Sequence, residues 1–196
     1  MAKLLLSKQQ YLASGIHIGM KQKTKDMKEF IYKIRADGLA VLNLREIDER
    51  IRVAAKFLAR HKNIVVASRK PVAQEAIKKF GELIGAKVVL GRFMPGMLTN
   101  PHYKDYFEAD VMFVVDPVID QQAIKEAVTA RVPIVAMCDT GHETKNIDLV
   151  IPMNNKGKKS LATACMLLTR EIMKERKQIK SDAEFKYTLK DFGVEE

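Results

Sequence analysis

Short apolar runs alternate with longer amphipathic stretches through the middle of the chain. The runs are Leu39–Leu44, Asn63–Ser68, Ala86–Leu90, Val111–Asp116, Ile134–Asp139 and Leu149–Pro152. Most are near-continuous in Val, Ile and Leu, the pattern of strands covered on both faces. Between them, apolar residues recur at helical spacing. Arg45–Lys62 places Ile47, Ile51, Ala54, Ala55 and Leu58 on one face, and Pro71–Ile84 does the same with Ala73, Ala76, Ile77, Phe80 and Ile84. Pro117–Arg131 turns Ile119, Ala123, Ile124, Ala127 and Val128 inward. Pro71 and Pro117 suit first helical positions, and Asp116 suits the cap before the second. This alternation predicts right-handed βαβ units and an α/β fold: a doubly wound, mainly parallel sheet with helices on both faces.

The flanks read differently. Residues 3–14 predict a short helix. Gly15 to Gly38 is a polar, Lys-rich connection interrupted by Phe30, Ile31, Tyr32 and Ile34. Lys158–Ile179 predicts one long C-terminal helix, with Leu161, Ala164, Cys165, Leu168, Ile172 and Ile179 on its apolar side. Its basic residues Lys174, Arg176, Lys177 and Lys180 gather at the end where the helix dipole favours cations. From Ser181 the chain is polar with scattered aromatics, which predicts a tail that is disordered or ordered only on a partner. The expected organisation over 1–196 is a single α/β domain with a basic N-terminal extension, 1–35, and a polar tail, 181–196.

Charge sharpens this picture. Residues 1–35 carry a net +6, and so do residues 153–180; residues 36–152 carry +1 and the tail carries −3. A near-neutral body flanked by two basic segments presents cationic surface to a polyanion. No apolar run approaches the ~18 residues of a membrane span. Leu4-Leu5-Leu6 is followed at once by Ser7-Lys8-Gln9-Gln10, so no secretory leader is expected at the N-terminus. Cys138 and Cys165 sit in apolar settings without metal-ligand partners, which predicts buried thiols in a reducing, cytoplasmic compartment.

Signatures of phosphate and hydrolytic chemistry are missing. There is no Walker loop, no Gly-x-Gly-x-x-Gly after the first predicted strand and no Gly-x-Ser-x-Gly elbow. The histidines His17, His61, His102 and His142 are scattered, so no metal site or cofactor is expected. Asp139-Thr140-Gly141 spells the aspartic-protease tripeptide, but it occurs once and follows a predicted parallel strand, where a turn through Gly141 explains it. Ser68-Arg69-Lys70-Pro71 joins a buried strand to a helix N-terminus. Arg69 and Lys70 there are either phosphate contacts or ordinary cations on a solvated loop. Gly91-Arg92-Phe93-Met94-Pro95-Gly96-Met97-Leu98-Thr99-Asn100-Pro101 follows a strand without giving a helix. Arg92 beside Phe93 suits a sugar-phosphate backbone or a splayed base, Phe93 and the methionines equally suit plugging the loop onto the sheet, and Met97 and Leu98 suit packing first. Lys21, Lys23, Lys25 and Lys28 form a run with no apolar period, and Lys156, Lys158 and Lys159 form a second cluster.

Several segments together resemble the universal small-subunit ribosomal protein two family, which includes the laminin-receptor-related ribosomal proteins. They are Ala13–Gly19 with Met27–Tyr32, Val41–Leu44, Gly91–Asn100, Ala109–Asp116, Pro133–Thr140 and Ile147–Asn155. The Gly-Met-Leu-Thr-Asn loop and the Ile-Pro-Met-Asn-Asn segment are the most specific. Only Pro101–Glu108 separates Asn100 from the next predicted strand region. The long helical hairpin of bacterial members is absent there, and the chain resembles the archaeal branch. It also lacks the long acidic tail of eukaryotic members. The resemblance implies a flavodoxin-like α/β body, binding to small-subunit ribosomal RNA and neighbouring ribosomal proteins near the head–body junction, and no catalysis.

The expectation is therefore a structural, cytoplasmic ribosomal protein with no small-molecule ligand. Its phosphate contacts are expected at Lys21, Lys23, Lys25, Lys28, Arg69, Lys70, Arg92, Lys156, Lys158 and Lys159, with Phe93 packing on RNA or an adjacent protein. The competing expectation is a nucleotide-binding enzyme or sensor using Ser68–Lys70 and Asp139–Gly141.

Overall fold

The computed structural model describes residues 4–194. Five short strands, β3 (Ile64–Ser68), β4 (Lys87–Leu90), β5 (Val111–Val114), β6 (Ile134–Cys138) and β7 (Leu149–Pro152), form an all-parallel sheet in the order β4-β3-β5-β6-β7. This is the flavodoxin-like order, which reverses direction between β3 and β5. The central strands β3, β5 and β6 are buried along their whole length, as their unbroken apolar runs require.

Helices α2 (Leu44–Ala59), α3 (Gln74–Ile84) and α5 (Lys158–Glu175) pack against one another on one face, with α5 between the other two. α4 (Gln121–Ala130) crosses from β5 to β6, in the opposite direction along the sheet from α3. Right-handed crossovers therefore place it on the other face. The 91–110 loop shares that face: the Gly96 and Leu98 N–H groups donate to the Glu126 carboxylate of α4 at 2.8 and 3.2 Å. One guanidinium gathers the ends of the helical layer. Arg176 donates to the carbonyls of Ala59 (3.4 Å), Ile84 (2.7 Å) and His61 (3.0 Å), oxygens at or just past the ends of α2 and α3.

Five expectations change. First, Leu39–Leu44 does not join the parallel sheet. Its core, β2 (Ala40–Leu42), pairs antiparallel with β1 (Ile31–Ile34) in a separate ribbon. The connection that reads as polar supplies β1 itself. Second, α4 begins at Gln121 rather than Pro117, because the Asp116 carboxylate accepts the Val118 and Ile119 N–H groups and holds a turn before the helix. Third, the last helix stops at Glu175, with Lys177 in the left-handed region at φ 59°. Fourth, the described part of the tail, 181–194, is docked. A 3-10 turn at Leu189–Phe192 buries Phe192 against α3 and α5, with Thr188 and Asp191 forming a capping box. A single fully buried aromatic holds a segment whose composition otherwise reads as solvated.

Fifth, the helix expected over 3–14 is shorter, beginning at Lys8; residue 3 lies outside the described residues, and Leu4, Leu5 and Leu6 pack against the core without helix. α1 (Lys8–Ser14) is capped by Ser7 and Gln10, and Tyr11 is buried with its hydroxyl donating to Asp48 at 2.7 Å. Asp48 also accepts the Leu5 N–H and pairs with Arg52.

Candidate nucleic-acid interface

The carboxyl ends of the five strands bring together residues far apart in sequence. Arg69 and Lys70 follow β3, and Arg92 follows β4. Asp116 follows β5, Asp139 to His142 follow β6, and Asn155 to Lys159 follow β7.

The 19–28 segment is laid over this edge. The Met20 N–H donates to Thr140 Oγ1 at 2.9 Å, the Thr24 N–H to the Thr140 carbonyl at 2.9 Å, and the Thr24 hydroxyl to the His142 carbonyl at 2.7 Å. Asp26 accepts from the Thr144 N–H and hydroxyl. The approach is close enough to require glycine: a Cβ on Gly19 would lie 2.5 Å from Thr140 Cγ2. The basic N-terminal segment thereby becomes part of the strand-end surface. Its anchors are Thr24 and Met27, while Lys21, Lys23, Lys25 and Lys28 point to solvent.

Of the expected cations, Arg69, Arg92, Lys156, Lys158 and Lys159 are likewise exposed, although Lys158 pairs with Glu75 at 2.8 Å. Five strands at ~4.8 Å spacing set the edge at roughly 20 Å, comparable to a nucleic-acid duplex in breadth.

Two expected contacts lie elsewhere. Lys70 turns its ammonium inward. It pairs with Asp116 and donates to the Asn155 backbone carbonyl and side-chain oxygen at 2.8 and 3.1 Å. The Lys70 and Asp116 side chains are only 12% and 5% exposed. Burial of a carboxylate requires a counter-charge, and Lys70 supplies it. Phe93 is 5% exposed and belongs to the core, so its ring is not offered to RNA or to a neighbouring protein. Burial of its apolar area in the loop turn outweighs exposure, and Met94, 43% exposed, takes the outward place.

Asn155 completes the inward network. Its amide donates to the Val115 and Met137 carbonyls at 3.1 and 3.3 Å, linking β5 to β6. Burial lowers the His142 pKa despite Asp116 and Asp139 nearby. The neutral ring accepts the Asp139 N–H at Nδ1 (3.1 Å) and turns Nε2 toward Asp116, 3.7 Å away. Burial likewise raises the Asp139 carboxyl. Asp120 is pushed up to about 6, chiefly by burial, while its Oδ1 accepts the Arg69 N–H at 2.9 Å.

Lys70, Asp139 and Thr140 are thus occupied with internal contacts at the strand ends, whereas Ser68 Oγ is buried without a partner and Arg69, Arg92 and Asp120 line an open cavity of about 320 Å³ there. Among the described residues, no group of three or more His, Cys, Asp or Glu side chains could hold a metal ion. None of the helices among the described residues is long and apolar enough to cross a membrane. The sequence reading missed Asn155 and His142 as functional elements of this edge. The Asn-Asn pair ending the Ile-Pro-Met-Asn-Asn segment was the available signal.

The fold and this edge define a class: a flavodoxin-like parallel α/β protein whose strand ends are partly filled by its own side chains and rimmed with cations. Residues 11–109 and 102–175 match the profile of the family described as ribosomal protein S2. The chain belongs to that family. It is 50% identical over 186 residues to the small ribosomal subunit protein uS2 of Methanococcus maripaludis strain C6, covering 94% of this chain and 84% of the relative. The proteins of that name from strains C5 and S2 are each 48% identical over the same shares.

Proposed function

We propose that this chain is a structural component of the small ribosomal subunit in the cytoplasm. It serves as a non-catalytic platform that binds small-subunit ribosomal RNA and packs against neighbouring ribosomal proteins. The observation that carries this reading is the convergence of exposed cations from four separate chain segments on one strand-end edge. Lys21, Lys23, Lys25, Lys28, Arg69, Arg92, Lys156, Lys158 and Lys159 meet phosphates there. Family membership and the naming of the Methanococcus relatives support the same assignment. The inward Lys70–Asp116–Asn155 network has the role of holding the loops that carry these cations in register.

Phosphate neutralisation releases counterions, so affinity should fall steeply with salt. The test is binding of the full chain to small-subunit ribosomal RNA between about 50 and 300 mM salt. Replacing Lys21, Lys23, Lys25 and Lys28 together with Gln should shallow the log–log slope by up to about three. An unaltered slope would remove this segment from the interface.

A further inference from the structure

The β1–β2 ribbon carries an aromatic that its own fold does not use. Its register runs Ile31↔Leu42, then Lys33↔Val41, so Tyr32 is the extra residue of a β-bulge with no partner on β2. Bulges re-aim side chains, and this one leaves Tyr32 71% exposed. Ile34 beside it is 56% exposed. Together they line a surface groove of about 570 Å³ whose charged lining residues are Lys23, Lys25, Lys28 and Lys33, all exposed and none faced by a lining acid. An exposed large aromatic among cations, on a strand anchored to a rigid body, is the arrangement of a base-stacking platform.

Resting on the RNA-binding reading above, we propose that this groove holds an unpaired nucleotide of the bound RNA, its base stacked on Tyr32 and its flanking phosphates on the four lysines. A protein strand adding to the β1 edge is the competing occupant. The bulge breaks the regular ladder such a strand would need, and a purely cationic lining favours a polyanion.

The probe is an unstructured RNA single strand of about eight nucleotides, compared with a blunt duplex of equal charge. Wild-type protein should bind the single strand more tightly than the duplex. Tyr32→Ala should weaken single-strand binding by roughly five- to a hundred-fold and abolish the preference, while Tyr32→Phe should retain it. Because stacking releases no counterions, Tyr32→Ala should leave the salt slope at its wild-type value. In reconstituted small subunits, ultraviolet irradiation should join Tyr32 to RNA. Equal binding by Tyr32→Ala, or cross-linking of Tyr32 to protein alone, overturns the proposal while leaving the wider RNA-binding reading intact. Absence of salt-dependent binding of the wild-type chain to small-subunit ribosomal RNA defeats the wider reading instead. Tyr32 is exposed, so an unchanged thermal midpoint serves as the folding control.

Discussion

Replacing Lys70 by Met separates an internal strut from a surface contact. The ammonium has three protein acceptors: Asp116 Oδ2, the Asn155 carbonyl and the Asn155 side-chain oxygen. In the variant, Asp116 Oδ1 still accepts the Val118 and Ile119 N–H groups, and the Asn155 amide still spans β5 and β6. Asp116 Oδ2 loses its counter-charge in a site only 5% exposed. Breaking a buried pair at one partner costs about 3–5 kcal/mol. The 12% exposure of Lys70 lets water reach the gap, so the low end, about 3 kcal/mol, is expected. For a chain of this length that corresponds to a fall of about 6–12 °C in Tm. Urea unfolding at pH 7, compared at constant m-value, measures it. Lys70→Met combined with Asp116→Asn should recover much of the loss, because no charge then remains stranded while the amide oxygen still accepts the Val118 and Ile119 N–H groups. RNA binding by the single variant should keep the wild-type salt slope. A loss under about 1 kcal/mol together with a slope shallower by about one would show the opposite: a surface lysine meeting phosphate.

Other expectations concern the same edge and the core. Gly19→Ala should push the 19–24 segment off Thr140, costing about 1–3 kcal/mol, with faster hydrogen exchange at the Met20 and Thr24 amides as the local readout. Asp120 has a folded pKa of about 6, above its ordinary 3.8, so the folded state holds the extra proton between those values. Stability contributed by that group is therefore present below pH 4 and declines as pH rises through 6. Asp120→Asn should make the chain more stable by about 1–2 kcal/mol at pH 7 and change little at pH 4, as read from urea midpoints. Cys138 and Cys165 are fully buried, and burial raises both thiols, Cys165 to about 12. Iodoacetamide should label neither at pH 7.5 in the folded protein and both in urea, with mass spectrometry as the check.

The parallel sheet was legible because β3, β5 and β6 are buried on both faces, and that demand writes unbroken Val/Ile/Leu runs. The ribbon was not. β1 is mostly exposed, so Ile31–Ile34 carries no burial pattern to reveal it, and β2 resembles a core strand because Ala40 and Leu42 are buried although the strand lies outside the parallel sheet. At the edge, the exposed lysines could be found from charge alone, since solvated cations need no partner. Lys70 could not be told from Arg69 in the same way. Both follow a buried strand, and only the three-dimensional neighbourhood sets Asp116 and Asn155 beside one of them. Phe93 shows the same limit, since an aromatic between Arg92 and Met94 can face either way until the loop is folded onto α4.

The Arg176 clasp has a consequence for how the protein is made. The helix that occupies the middle of the layer leaves the ribosome's exit tunnel after both of its flanking helices, and the guanidinium that satisfies their ends follows it. Until then the sides of α2 and α3 that face α5 have no helical neighbour, although both helices already meet strands of the sheet. A nascent chain stalled at Gly157 is accordingly expected to remain protease-sensitive throughout, and one released beyond residue 176 to acquire resistance in a single step.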